Sequence, residues 1–187
     1  MKRPEQIKLL AAVQDLASAD TLKRIAATKC LLSAGLREYS FLRKEVLSAD
    51  ETWNRLVQAL SDKEEKVVEN ATGALTQTIG RYRRDPTATD PLRALLTHRN
   101  KNIRSYAVRG LGYLPDATIG TTLLPLLKDK TEGVRRETVL VLGRRIQDMS
   151  MVERSRVLEV LKHLLPEAKP EMKMILENTI NRLSSND

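Results

Sequence analysis

One recurring motif constrains this 187-residue chain more than anything else in it. Between positions 129 and 142 the order is D-x4-V-R-x2-T-x3-L, carried by Asp129, Val134, Arg135, Thr138 and Leu142. The template returns at 98–111 as His98, Ile103, Arg104, Ala107 and Leu111, and at 62–75 as Asp62, Val67, Val68, Ala71 and Leu75. At 167–180 it is filled by Glu167, Met172, Lys173, Leu176 and Ile180, and a weaker copy at 17–30 uses Ala17, Leu22, Lys23, Ala26 and Cys30. The second slots, at 22, 67, 103, 134 and 172, lie 45, 36, 31 and 38 residues apart. Five units with a period of about 40 residues imply stacked repeats rather than one closed globule.

Slots at offsets 0, +4 and +8 from the second anchor share one face of a helix. An amphipathic segment precedes each such helix. These segments carry Ile7, Leu9, Leu10, Val13 and Leu16; Trp53, Leu56, Val57 and Leu60; Leu92, Leu95 and Leu96; Leu123, Leu124, Leu126 and Leu127; and Val157, Leu158, Leu161, Leu164 and Leu165. Each repeat therefore reads as a hairpin of helix A and helix B. Ser48-x-x-Glu51, Ser61-x-x-Glu64 and Ser150-x-x-Glu153 have the spacing of capping boxes. Asp90-Pro91 and Pro170 mark helix starts, and Pro166 a helix end. Pro125, inside the fourth A segment, demands a late start near Thr121 or a kink. Gly110 and Gly112, inside a B helix, imply close packing or local weakness.

Composition agrees. Hydrophobic residues make up 41% but aromatic residues only 3%, so the core must be built from Leu, Val, Ile and Ala. Leu and Ala are strong helix formers. A single cysteine, Cys30, excludes a disulfide framework within the chain, and its neighbours Ala26, Leu31 and Leu32 imply a buried thiol. The basic start MKRPEQIKLLAAVQDL lacks a signal-type apolar run, because Gln14 and Asp15 interrupt it. No run of about 18 apolar residues exists to span a membrane. The expected location is cytoplasmic.

The slots Asp129-Val134-Arg135, Ile103-Arg104-Ala107-Leu111-Gly112 and Asp62-Val67-Ala71-Ala74-Leu75 resemble the HEAT repeat, particularly the HEAT-like form of phycobilisome lyases and bacterial adaptors. Val68 departs from the expected Arg, His98 from the Asp and Thr138 from the Ala. The resemblance implies an all-α chain: a right-handed α-α superhelix, or α-solenoid, of about five helical hairpins. Residues 1–187 would form a single domain, with repeats near 4–36, 38–82, 86–114, 116–147 and 150–184. It further implies that Asp129 and Arg135 belong to a ladder between successive repeats, and that B helices line a concave groove.

With the anchors facing the core, helical geometry turns other offsets away from it. A partner-binding surface is therefore expected from Arg104, Ser105, Val108 and Arg109 in the third B helix and Arg136, Val139 and Leu140 in the fourth. Arginine beside exposed aliphatic residues is typical of protein-binding surfaces. The formal net charge is +8, concentrated in residues 81–109, where eight basic residues face Asp85 and Asp90 alone. Arg81, Arg83, Arg84, Arg99 and Lys101 form a basic patch there. The partner is expected to be a protein with an acidic surface. Nucleic-acid backbone binding through the patch is the alternative, although no aromatic ladder accompanies it for stacking bases.

Catalysis finds no support. His98 and His163 are 65 residues apart and belong to no metal-spaced cluster. There is no Gly-rich phosphate loop and no G-x-S-x-G elbow. HEAT-like DNA glycosylases and phycobilin lyases are similar in architecture. Trp53, on an A helix, reads as core, and no residue carries either activity specifically. The expectation is a non-catalytic scaffold or adaptor without cofactor or metal, with a lyase or chaperone-like subunit for a cofactor-bearing protein as a subordinate reading.

Overall fold

The computed structural model describes residues 3–37 and 40–184, so the repeat boundary expected at 38 lies outside the described residues. Among the described residues there are eleven α-helices and no strand. The chain forms two compact units, Met1–Ala94 and Leu95–Asp187. In the first, α1 (Pro4–Asp15) packs on α2 (Thr21–Leu36), and α4 (Asp50–Ala59) packs on α5 (Glu65–Arg81). The short α3 (Phe41–Leu47) sits against α1 and α2, and α6 (Thr89–Ala94) closes the unit. The second opens on a 3-10 turn, Leu95–Thr97, packed on α7 (Lys101–Leu111). Two hairpins follow: α8 (Ile119–Leu123) with α9 (Glu132–Arg144), and α10 (Met151–Leu164) with α11 (Pro170–Ser184).

Within each unit the second helices form one layer: α2 lies beside α5, and α9 lies between α7 and α11. The repeat anchors fill the space beneath. Val67, Ala71, Leu75, Ile103, Ala107, Leu111 and Leu142 are 0% exposed and Val134 is 1% exposed. Each large aliphatic side chain so buried contributes about 1.5–3 kcal/mol. Pro125 is accommodated because α8 stops at Leu123 and the chain continues as a 3-10 turn, Leu124–Lys128, which needs no amide donor there.

The weak first copy of the template is displaced by one residue. Leu22 is 75% exposed and Cys30 only half-buried, whereas Arg24, Ala27, Thr28 and Leu31 are buried. The register is Ser18, Lys23, Arg24, Ala27 and Leu31, as the hydrogen bonds of Arg24 show, with Lys23 exposed where the other repeats bury an aliphatic anchor. Its Nη1 donates to the carbonyls of Ser18 and Ala19, and its Nε lies 2.7 Å from Asp62 Oδ2. Arg104 repeats the pose: Nη1 donates to the carbonyls of His98 and Arg99, and Nε and Nη2 grip Asp129 at 2.7 and 2.8 Å. The ladder thus joins the arginine of one hairpin to the aspartate of the next. Arg135 is not the partner of Asp129's carboxylate; it donates to Asp129's own carbonyl.

The aspartate of each rung has a second duty. Asp62 accepts from the amide of Glu64, and Asp129 from that of Thr131, closing the turn before the B helix. His98 keeps this local role through Nδ1, which accepts from the amide of Asn100. Threonines fill tight helix contacts. Thr28, Thr72, Thr78 and Thr138 are 0% exposed and return their hydroxyls to the carbonyl four residues earlier.

Of the three expected capping boxes only Ser150–Glu153 forms. Glu153 also accepts from the backbone and hydroxyl of Thr121, tying α10 to α8. Ser48 instead ends α3, and Glu64 caps α5 itself. The turn at Asp85-Pro86, not Asp90-Pro91, starts the sixth helical segment, with Asp85 accepting from the amide of Thr87. Trp53 is core, as expected: it is 1% exposed, its Nε1 donates to Thr87 Oγ1 at 3.0 Å, and the Arg83 guanidinium lies over its ring. Arg145, 9% exposed, satisfies the carbonyls of Leu111, Gly112 and Leu114 at the end of α7.

Two consequences are measurable. A Cβ on Gly112 would stand 2.8 Å from Val141 Cγ1, whereas one on Gly133 meets nothing within 4 Å. Gly112→Ala should therefore cost about 1–3 kcal/mol in chemical denaturation, and Gly133→Ala should add up to about 1 kcal/mol. The second concerns acid. Burial opposes ionisation of Asp62 and Asp129, but the arginine and backbone hydrogen bonds outweigh it and both pKa values fall below the usual aspartate value. Thr87 and Arg83 hold Asp85 at about 2 against 3.8 unfolded. A lowered folded pKa gives stability that is complete above the unfolded value and lost as pH falls through the folded one. The melting temperature should drop steeply between pH 3.8 and about 2, and Asp85→Asn should flatten that drop while lowering stability at neutral pH.

Candidate partner-binding groove

The surface expected from the B helices is only partly available. Arg104 is 4% exposed and committed to its rung, Val108 is 0% exposed and Val139 1%. These three are corrected to structural residues. The reason is the layer itself: α9 has a neighbour on each side, so offset +5, which holds Val108 and Val139, faces the following hairpin rather than solvent. Ser105 is half-buried on α7, Arg109 is half-exposed, Arg136 is exposed on α9, and Leu140 is 39% exposed.

A groove of about 470 Å³ runs over α7, α9 and α11 in the second unit. Arg109, Leu140 and Asn178 line it from offset +6 of successive helices, and Arg144 and Arg182 from offset +10. Ile175 adds a second apolar wall. At its base Glu137, 8% exposed, accepts both forks of Arg109, Nε at 3.0 Å and Nη2 at 2.6 Å. Arg144 approaches the same carboxylate at 3.8 Å while its guanidinium lies 5.3 Å from the centre of the Tyr113 ring. The hydrogen bond to Glu137 raises the pKa of Arg109 further above its ordinary value. One buried carboxylate thus positions two arginines, and Arg182 leaves the groove with positive charge in excess.

Glu137, Arg144, Ile175, Asn178 and Arg182 were not expected from the sequence. For Arg144 and Arg182 a signal was present: extending the template to offset +10 reaches Arg144 in α9 and Arg182 in α11, and Tyr113 in the turn after α7.

The basic patch is divided. Arg81, Arg83 and Arg84 belong to the first unit, and Arg99 and Lys101 to the second. Arg83 is neutralised in place by Asp50 and Asp85, each at 2.6 Å, and Arg81 donates to the carbonyl of Arg37. Arg84, Arg99 and Lys101 are exposed. Among the described residues no group of His, Cys, Asp and Glu is arranged to hold a metal ion, and no helix is long and apolar enough to cross a membrane.

Residues 89–178 match the family model of HEAT repeats. The matched segment is similar to HEAT repeats. No curated protein matches the chain. Solved structures do, across nearly its full length. A designed armadillo repeat protein in complex with the peptide (KR)4 is 18% identical with a TM-score of 0.76, covering 95% of this chain and 85% of its own. An engineered protein from the Northeast Structural Genomics Consortium is 20% identical with a TM-score of 0.77, covering 96% of this chain and 48% of its own. A computationally designed armadillo repeat protein for modular peptide recognition is 17% identical with a TM-score of 0.61, covering 93% and 99%. The fold class is therefore the α-solenoid of HEAT and armadillo repeats.

The HEAT groove makes a prediction of its own. Arg109→Glu would set a second carboxylate against buried Glu137 and should lower the melting temperature by several degrees, whereas Arg182→Glu, at an exposed residue that forms no ion pair among the described residues, should leave it within about one degree.

Proposed function

We propose that the chain is a non-catalytic adaptor that binds an acidic segment of a protein partner along the groove over α7, α9 and α11. The observation that carries this reading is the charge balance: Arg109, Arg144 and Arg182 surround a single buried carboxylate, Glu137, with Leu140 and Ile175 between them. Arginine forks pair with carboxylates in two-point hydrogen bonds, and the aliphatic side chains give apolar contact without a deep pocket. Asn178 offers an amide donor and acceptor to an extended peptide backbone. The fold supports the peptide-binding part, since a structural neighbour holds a peptide. That peptide is basic, and the excess of arginine here calls for the opposite charge. Arg136 and Ser105 would lie at the groove's margin.

Binding of nucleic acid draws less support, because Arg83 and Arg104 are already neutralised by carboxylates of the chain itself. We expect a fluorescein-labelled peptide alternating Glu and Leu to bind in anisotropy titrations, and the double variant Arg144→Glu, Arg182→Glu to weaken it at least about tenfold without loss of helicity. Equal binding by the variant would remove the groove from consideration. Tighter binding of a single-stranded oligonucleotide than of the peptide would favour the nucleic-acid reading.

A further inference from the structure

The three ladder arginines of known pose invite comparison. Arg24 and Arg104 each direct Nη1 at backbone carbonyls of the preceding turn and close Nε and Nη2 on the aspartate of the next hairpin. Arg135 makes the first half of this arrangement: its Nη1 donates to the carbonyl of Asp129 at 2.7 Å, six residues back, as in the other two. The slot for its carboxylate partner holds Glu167 instead of Asp. Asp62 and Asp129 are clamped by an amide two residues ahead. Glu is one methylene longer, and Glu167 is exposed and forms no ion pair with Arg135. Where the rung should close there is a cleft of about 240 Å³ between α9 and α11, lined by Arg135 and Glu167 and walled by Leu127, Val139, Leu164 and Leu176. Glu132, also at this cleft, is neutralised by Lys169 at 3.0 Å.

We propose that this cleft binds an aliphatic carboxylic acid of medium chain length, whose carboxylate completes the third rung on Arg135. The chemistry follows from the two sister arginines: a guanidinium held by a backbone carbonyl on one side presents a fork to a carboxylate on the other. The walls select an apolar tail. An apolar cavity of about 150 Å³ accommodates benzene, so 240 Å³ holds a chain of roughly eight carbons. The site shares no residue with the groove over α7, α9 and α11, so it stands or falls separately from the adaptor reading.

Isothermal titration with octanoate and octanol tests it. The protein should bind octanoate, and octanol at least about tenfold more weakly, since octanol lacks the charge-assisted pair. Arg135→Gln should bring octanoate down to the octanol level. Glu167→Gln, an exposed change that leaves the fold intact, should tighten octanoate binding roughly threefold by removing a like charge. The proposal is overturned if octanoate and octanol bind alike, if folded Arg135→Gln retains full affinity, or if Glu167→Gln weakens binding.

Discussion

The rest of the structure depends on a buried arginine–aspartate pair that links one hairpin to the next. Arg104 and Asp129 have side chains only 5% and 7% exposed, and two parallel hydrogen bonds join them. Two charges so withdrawn from water are stable only with near-ideal geometry and with their remaining donors satisfied. Both conditions hold, because backbone carbonyls take Nη1 and a backbone amide takes the aspartate. The pair's chief effect is on register. A hairpin shifted by one residue would leave an arginine buried without a partner, which is far costlier than losing an aliphatic contact.

That constraint shapes the surface left for other molecules. Once α9 is flanked by α7 and α11, its side chains divide among core, neighbours and a narrow outward strip. Offset +5 becomes aliphatic and buried, as at Val108 and Val139. On α11 the same offset is the exposed Glu177, and the slot that holds Gly112 and Gly143 in the two preceding B segments is filled by Asn181. What faces outward over α7, α9 and α11 is then set by offsets +6 and +10, and there arginine predominates over a single buried glutamate.

The pairing of helices was legible because a period of about 40 residues with anchors every turn admits few other folds. Trp53 as core and the proline-led start of α11 were legible for local reasons: a lone aromatic among leucines, and a residue that lacks an amide donor. The register of the first B helix was not. Leu22 and Lys23 fit the aliphatic-then-basic pair of the template better than Lys23 and Arg24 do, and only the burial of Arg24, Ala27 and Leu31 and the reach of Arg24 to Asp62 reveal the shift. Likewise Arg135, Arg136, Arg144 and Arg145 look equivalent in the chain. The fold makes one a ladder arm, one free, one a groove residue over Tyr113 and one a cap for α7.

The sequence by itself determined the class of this protein, because helical periodicity and repeat length are properties of neighbours along the chain. Only the tertiary structure decided which charges are spent internally and which remain for a partner. Val108 adjoins Arg109 in the chain and Arg104 lies five residues before it, yet the first two are buried and Arg109 opens on the groove. Burial and charge pairing depend on distances between segments some 25 to 40 residues apart, such as Arg104 to Asp129 and Arg24 to Asp62, and no local pattern encodes them.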